Sequence, residues 1–120
     1  MKIAIIGSRT GFTKNAVAKV MFEEFGWQDN VLITGGAMGV DTFAIELAKE
    51  NGHPKVEVIR PIDKTNKLNY LLRNIEIITK ADRIIAFGDG NSKGTKFVID
   101  YAKARNKDLN VITKKHTSEV

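Results

Sequence analysis

Three loops rich in glycine and hydroxyl residues follow apolar runs in the sequence, and such loops can bind an anion. They are GSRTGFT at 7–13, GGAMGVD at 35–41 and GDGNSKGT at 88–95. Glycine beside a helix start lets backbone N–H groups approach an anion, and the helix dipole adds about half a positive charge there. The loops therefore favour phosphate as a ligand, although tight strand-to-helix turns alone would also use glycine. No loop has the dinucleotide pattern GxGxxG or the P-loop pattern GxxxxGKS/T.

Four charged or polar residues near these loops are candidates for ligand contact or catalysis. Arg9 follows the first apolar run, where its guanidinium could pair with a phosphate or carboxylate, or simply face solvent. Asp41 falls in the first turn of a predicted helix. A carboxylate there can interact favourably with the helix dipole, contact a ribose hydroxyl or take part in catalysis. Arg73 and Asn74 interrupt an apolar helical pattern. We expect them to point toward the ligand, unless Arg73 extends to solvent.

The last of the three loops contains the residues of a helix start. Ser92 is suited to the N-cap position and Thr95 to the first turn. Capping alone would explain both residues. Their hydroxyl groups and the neighbouring N–H groups would equally suit a phosphate, to which Lys93 adds a positive charge.

Five short apolar segments rich in β-branched residues indicate the strands that end at these loops. They span residues 2–6, 31–34, 55–60, 83–87 and 110–113, and buried parallel strands have this composition. Residues with helical spacing lie between them. The four apolar stripes are Val17, Val20, Met21 and Phe25; Val40, Phe43, Ala44, Leu47 and Ala48; Leu68, Leu71, Leu72, Ile75 and Ile78; and Phe97, Val98, Tyr101 and Ala102.

Strict alternation of strands and helices predicts an α/β fold, with a doubly wound, open, parallel sheet of five strands and helices on both faces. In such sheets ligands bind beyond the carboxyl ends of the strands, near the point where the winding reverses. All three glycine-rich loops fall at that edge. We predict a single domain over residues 1–113, followed by a flexible tail at 114–120.

The composition of the 120 residues limits the class of protein. No segment reaches the roughly 18 uninterrupted apolar residues of a membrane span, and the first two residues lead directly into an apolar run rather than an export signal. Cysteine is absent, so we predict a cytoplasmic protein without disulfides. Both histidines, His53 and His116, lie away from the loops, so we predict no metal and no cofactor. The net charge of +5 favours anionic partners.

The motifs IAIIGSR, LITGGAMGVD, LLRN and ADRIIAFGDGNSKGT, in this order, resemble the SLOG superfamily, and most closely its YspA-like branch of small stand-alone domains. The resemblance extends from Lys2 to about Val111. The superfamily also includes the Lonely Guy phosphoribohydrolases, molybdenum-cofactor carrier proteins and the DprA/Smf single-strand DNA binders. The resemblance implies a Rossmann-like fold that holds a nucleotide or nucleotide-derived ligand at its glycine loops.

The resemblance also implies roles for individual residues. Arg73 is placed like the arginine that the phosphoribohydrolases carry on the helix before their last loop. Their catalytic glutamate, just beyond the threonine of PGGxGTxxE, has no counterpart after Thr95, which leaves Asp41 or Asp89 as the carboxylate for cleaving an N-glycosidic bond. The predicted catalytic residues are Asp41 and Arg73. The predicted ligand- and phosphate-binding residues are Gly7, Ser8, Arg9, Gly35, Gly36, Gly39, Asn74, Asp89, Ser92, Gly94 and Thr95.

We expect the chain to bind a nucleotide or nucleotide-derived small molecule, either as a sensor or as an enzyme that acts on the N-glycosidic bond. Two alternatives use the same loops. One is single-stranded nucleic-acid binding of the DprA/Smf type, supported by the net charge alone, and the other is carriage of a phosphate-bearing cofactor such as molybdopterin. We expect no membrane partner. Superfamily relatives pair through helices, which leaves a homo-oligomer open, but the sequence has no self-complementary patch that we can identify.

Overall fold

The computed structural model describes residues 1–26, 29–53, 55–88 and 93–113. Strands and helices alternate along the chain, and no helix in these ranges is long and apolar enough to cross a membrane. The elements are β1 (Lys2–Gly7), α1 (Lys14–Glu24), β2 (Val31–Thr34), α2 (Val40–Glu50), β3 (Val56–Val58), α3 (Lys67–Lys80), β4 (Arg83–Phe87), α4 (Lys93–Ala104) and β5 (Asp108–Ile112). Two predicted site residues, Asp89 and Ser92, and the predicted tail at 114–120 lie outside the described residues.

The five strands form one parallel sheet in the order β3-β2-β1-β4-β5. Central β1 pairs with β4 from Ile3 opposite Arg83 to Gly7 opposite Phe87. The chain proceeds from β1 outward to β3 and then returns to the other side of β1, so the winding reverses between β1 and β4. The predicted α/β, doubly wound, Rossmann-like sheet is confirmed. Its reversal point lies just beyond Gly7 and Phe87, where ligands bind in such sheets.

The sheet has an apolar core on each face, because alternate strand residues point to opposite sides. On one face Ile5 belongs to a buried cluster with Val17 of α1 and Ala44 of α2. On the other face Ile84 belongs to a second cluster with Ile77 of α3 and with residues of α4. The two cores pack α1 and α2 on one face of the sheet and α3 and α4 on the other. This packing places the start of α2 and one face of α3 at the carboxyl edge of the sheet.

The apolar face predicted for α3 is wrong at its leucines. Leu68 and Leu72 are 56% and 51% exposed, and Leu71 is exposed as well. The buried face of α3 instead carries Ile77 and Ile78, of which only Ile78 belongs to the predicted stripe. The helix has apolar residues on two faces, and helical spacing alone does not determine which face packs on the sheet.

Three strands also have bounds that differ from the predicted ones. β1 continues one residue further, to Gly7. β3 is shorter than the predicted 55–60, because it is an edge strand whose single neighbour, β2, pairs with only three of its residues. β5 begins at Asp108 rather than at 110, because it pairs with β4 along the whole length of that strand.

Candidate functional site

A crevice of about 600 Å³ opens beyond the carboxyl ends of β1 and β4, where the winding reverses. This volume lies within the usual range of small-molecule sites. The crevice brings together most of the residues predicted from the sequence. Those that line it are Gly7, Ser8, Arg9, Asp41, Arg73, Asn74, Gly94 and Thr95.

Asp41, in the first turn of α2, connects the loops that follow β1 and β2. Its Oδ1 accepts a hydrogen bond from the Gly7 N–H at 3.2 Å, and its Oδ2 accepts from the N–H groups of Gly35 at 3.0 Å and Ala37 at 3.4 Å. The residue is only 3% exposed. The anion that the Gly7 and Gly35 amides bind is therefore the protein's own carboxylate, and these two donors are not free for a phosphate.

Burial raises the pKa of Asp41 to about 6. The three backbone donors and the positive charge of Arg73 oppose this rise but do not cancel it. The carboxyl group is therefore ionised at neutral pH and takes up a proton in mildly acidic solution. A perturbed carboxyl group in a crevice is a common feature of functional sites, and a catalytic role for Asp41 stays a prediction.

Arg73 extends from α3 to the loop after β2. Its Nη1 donates to the Gly35 carbonyl oxygen at 2.7 Å, and its Nε donates to Asn74 Oδ1 at 2.8 Å. A Cβ atom at position 35 would overlap the Arg73 guanidinium, so this approach requires glycine. Burial lowers the pKa of Arg73 and the Asp41 carboxylate raises it. Arg73 stays charged at neutral pH even with its pKa lowered, since a guanidinium group does not lose its proton in proteins.

Arg9, Arg60 and Arg73 form a group of positive charges that we call the arginine cluster. Arg9 and Arg60 both lower the pKa of Arg73, because like charges nearby disfavour its charged form. Among the residues that the structure describes, none of the three forms a salt bridge with a carboxylate, whereas Lys80 and Arg83 are paired at 2.8 and 2.7 Å. Unpaired like charges repel one another, and an anion bound between them would relieve that repulsion.

Two residues of this region, Arg60 and Tyr70, were not identified from the sequence. Tyr70 lines the crevice, and the Arg73 guanidinium lies 5.6 Å from the centre of its ring. Its position three residues before Arg73 on one helix is the signal that could have identified it. Arg60 follows the edge strand β3 much as Arg9 follows β1, and that similar position is the corresponding signal.

Gly36 and Gly39 lie beside the crevice rather than in its lining. A Cβ atom at position 36 would lie 2.6 Å from Arg60 Nη1. At position 39 it would lie 2.5 and 2.6 Å from the carbonyl oxygens of Arg9 and Ser8. Position 39 therefore needs glycine because backbone atoms approach it closely, whereas at position 36 the φ angle of 71° favours glycine and the nearest atom belongs to a flexible side chain.

Replacing Gly39 with alanine is expected to lower the free energy of unfolding by about 2–6 kcal/mol, because a backbone conformation open almost only to glycine costs about 1–3 kcal/mol and overpacking adds a similar amount. The φ angle of Gly39 is 83°, and its Cβ would meet backbone oxygens that have little room to move. Gly52→Ala is the matched control, since Gly52 has a φ of 67° but no atom within 4 Å of the added Cβ. Urea unfolding of both variants tests this, and equal losses would contradict a close approach at Gly39.

The fold is a Rossmann-like α/β domain, with a crevice lined by Arg9 and Arg73 at the carboxyl edge of its sheet. Solved structures of DNA processing protein A share this fold. The protein from Helicobacter pylori, whose structure concerns its single-stranded DNA binding mode, has a TM-score of 0.73 and 23% identity over 92% of this chain and 64% of that one. DNA processing protein A from Streptococcus pneumoniae has a TM-score of 0.77 and 20% identity over 92% of this chain and 49% of that one.

This chain therefore spans about half to two thirds of the length of these structural neighbours. No family model matches the sequence, and neither does any curated protein. At such identities the similarity establishes the fold. It agrees with the DprA/Smf part of the superfamily resemblance.

Proposed function

We propose that this chain binds single-stranded DNA at the crevice and the adjoining glycine loops. The observation that carries the proposal is the arginine cluster, whose three members form no salt bridge with a carboxylate among the described residues. Contacts of arginine with phosphate supply much of the affinity of DNA-binding proteins. The structural similarity to DNA processing protein A from Helicobacter pylori supports a single strand as the ligand.

Tyr70 supplies the second element that single-strand binding needs, an aromatic surface for a base. It is half-buried at the crevice, with the Arg73 guanidinium beside its ring. Phe12, the aromatic residue of the first loop, cannot take this role, since it is 8% exposed and its ring packs edge-on against Phe87 at 5.4 Å. Stacking on an aromatic ring contributes about 1–3 kcal/mol per base and depends little on sequence.

A free nucleotide is the second candidate ligand, and the size of the crevice is compatible with it. About 600 Å³ suits one nucleotide unit, whether that unit is free or part of a strand. On this second proposal the chain is a nucleotide sensor or an N-glycosidic enzyme, with Asp41 as the carboxylate. Membership of the YspA-like branch, carriage of molybdopterin and cytoplasmic location stay predictions of the sequence.

Equilibrium binding of a labelled oligothymidine of about 15 nucleotides, measured over a range of salt concentrations, tests the proposal. With three phosphate contacts the logarithm of the binding constant is expected to fall with the logarithm of the salt concentration at a slope of about −2. Thymidine monophosphate should compete weakly, because it offers one phosphate and one base.

The competition separates the two candidates. If the mononucleotide displaces the strand at an equal concentration of nucleotide units, the free nucleotide is the preferred ligand and the strand proposal is wrong. If neither ligand binds, the crevice is not a nucleotide site of either kind.

A further inference from the structure

Arg60 lies outside the crevice, on the far side of the loop that follows β2. It is exposed, two residues beyond the end of the edge strand β3, and its Nη1 donates a long hydrogen bond of 3.4 Å to the Gly36 carbonyl oxygen. The Arg60 side chain lies against Gly36, where a Cβ atom would leave 2.6 Å to Nη1. The guanidinium therefore rests on the glycine loop, and its remaining N–H groups have no protein acceptor among the described residues.

Arg60 lies close enough to Arg73 to lower its pKa, with the smallest of the effects that act on that group. The carboxylates nearest to it in sequence have other partners. Glu57 binds Lys80 at 2.8 Å, and Asp63 accepts two hydrogen bonds from Thr65. Arg60 is thus an exposed cation at the edge of the site, with no salt bridge among the described residues and one long hydrogen bond to the loop after β2.

We propose that Arg60 and the loop at Gly36 form an outer phosphate subsite, separate from the crevice that Arg73 serves. A strand would place one nucleotide unit in the crevice and run outward past the end of β2 toward β3, with a further phosphate on Arg60. The direction follows from the strand order, since β2 and β3 lie successively further from the reversal point. This inference rests on the proposed binding of single-stranded DNA, and it defines the path that the strand takes over the protein.

Binding of Arg60→Ala to the oligothymidine and to thymidine monophosphate tests the subsite. Loss of one arginine–phosphate contact is expected to weaken strand binding about 10-fold and to reduce the steepness of the salt dependence by about 0.7. Binding of the mononucleotide should stay unchanged within about twofold, because its phosphate lies in the crevice. Lys103→Ala is the matched control, since it removes one exposed positive charge in the last turn of α4, at the opposite edge of the sheet.

The outcomes distinguish this inference from the function on which it rests. Equal losses for strand and mononucleotide would overturn the outer subsite and put Arg60 at the crevice. If Arg60→Ala binds the strand as tightly as Lys103→Ala does, the outer subsite is also overturned. It is overturned as well if the wild type binds the mononucleotide but not the strand. A wild type that binds neither ligand would remove the proposed function itself, and the subsite with it.

Discussion

Replacement of Arg73 by alanine is expected to reduce the affinity for the oligothymidine by about 10- to 100-fold, the loss that follows from one or two charge-assisted hydrogen bonds. Arg73 lines the crevice together with Arg9, and its Nη1 donates to the Gly35 carbonyl oxygen in the loop after β2 at 2.7 Å. The variant loses both the positive charge and this contact. Fluorescence anisotropy with labelled strand measures the affinity.

The same replacement should raise the pKa of Asp41 above its wild-type value of about 6, because Arg73 is a charge that favours the ionised carboxylate. Arg105→Ala is a well-matched control. Arg105 also lies over a tyrosine, with its guanidinium 5.0 Å from the Tyr101 ring, but it follows α4 at the opposite edge of the sheet. If Arg73→Ala binds the strand as tightly as Arg105→Ala does, the crevice is not the binding site.

Replacement of Asp41 by asparagine is expected to destabilise the fold in a way that depends on pH. The Asp41 carboxylate accepts hydrogen bonds from three backbone N–H groups in two loops. The single side-chain oxygen of asparagine can accept only some of these three hydrogen bonds. Its NH₂ group would lie against backbone N–H groups, and two donors cannot form a hydrogen bond with each other. Each buried donor left without an acceptor costs about 1–3 kcal/mol, and removal of a buried charge offsets part of that loss, so we expect a net loss of about 2 kcal/mol at pH 7.

The sign of the pH dependence follows from the raised pKa. Since the folded protein holds the Asp41 proton up to about pH 6 while the unfolded chain releases it near 3.8, this group stabilises the fold fully below about pH 4. That contribution, about 3 kcal/mol in total, is lost as the pH rises through 6. The difference in unfolding free energy between wild type and Asp41→Asn should therefore be largest near pH 4 and smallest above pH 7.

Urea unfolding of the two proteins between pH 4 and 8 measures this difference directly. Subtracting the unfolding free energy of the variant from that of the wild type removes the contributions of exposed carboxylates with lowered pKa values, such as Glu57 and Asp63, because both proteins share them. A difference that grows with rising pH would mean that the three N–H donors outweigh burial and hold the Asp41 pKa below its ordinary range.

The Asp41→Asn protein also tests catalysis, since loss of an N-glycosidase activity with nucleotide binding retained would identify an enzyme.

Elements with strong periodic patterns were predictable from the sequence. The alternation of β-branched runs and helical stripes determines a parallel sheet, because each right-handed crossover must carry a helix over it. The inner strands β2 and β4 have their predicted bounds, since burial on both faces demands continuous apolar runs. The leucines of α3 were misplaced because a helix with two apolar faces satisfies the same spacing in two orientations, and only packing against the sheet selects between them.

The sequence by itself determined that glycine loops and Arg9 gather at the carboxyl edge of the sheet, since the ends of parallel strands meet there. Only the tertiary structure decided how they are used. The amides of Gly7 and Gly35 bind the carboxylate of Asp41, because the start of α2 is held against both loops. Arg60 joins Arg9 and Arg73 because β3 lies beyond β2 in the sheet, a neighbour relation that depends on strand order and that no local pattern of residues encodes.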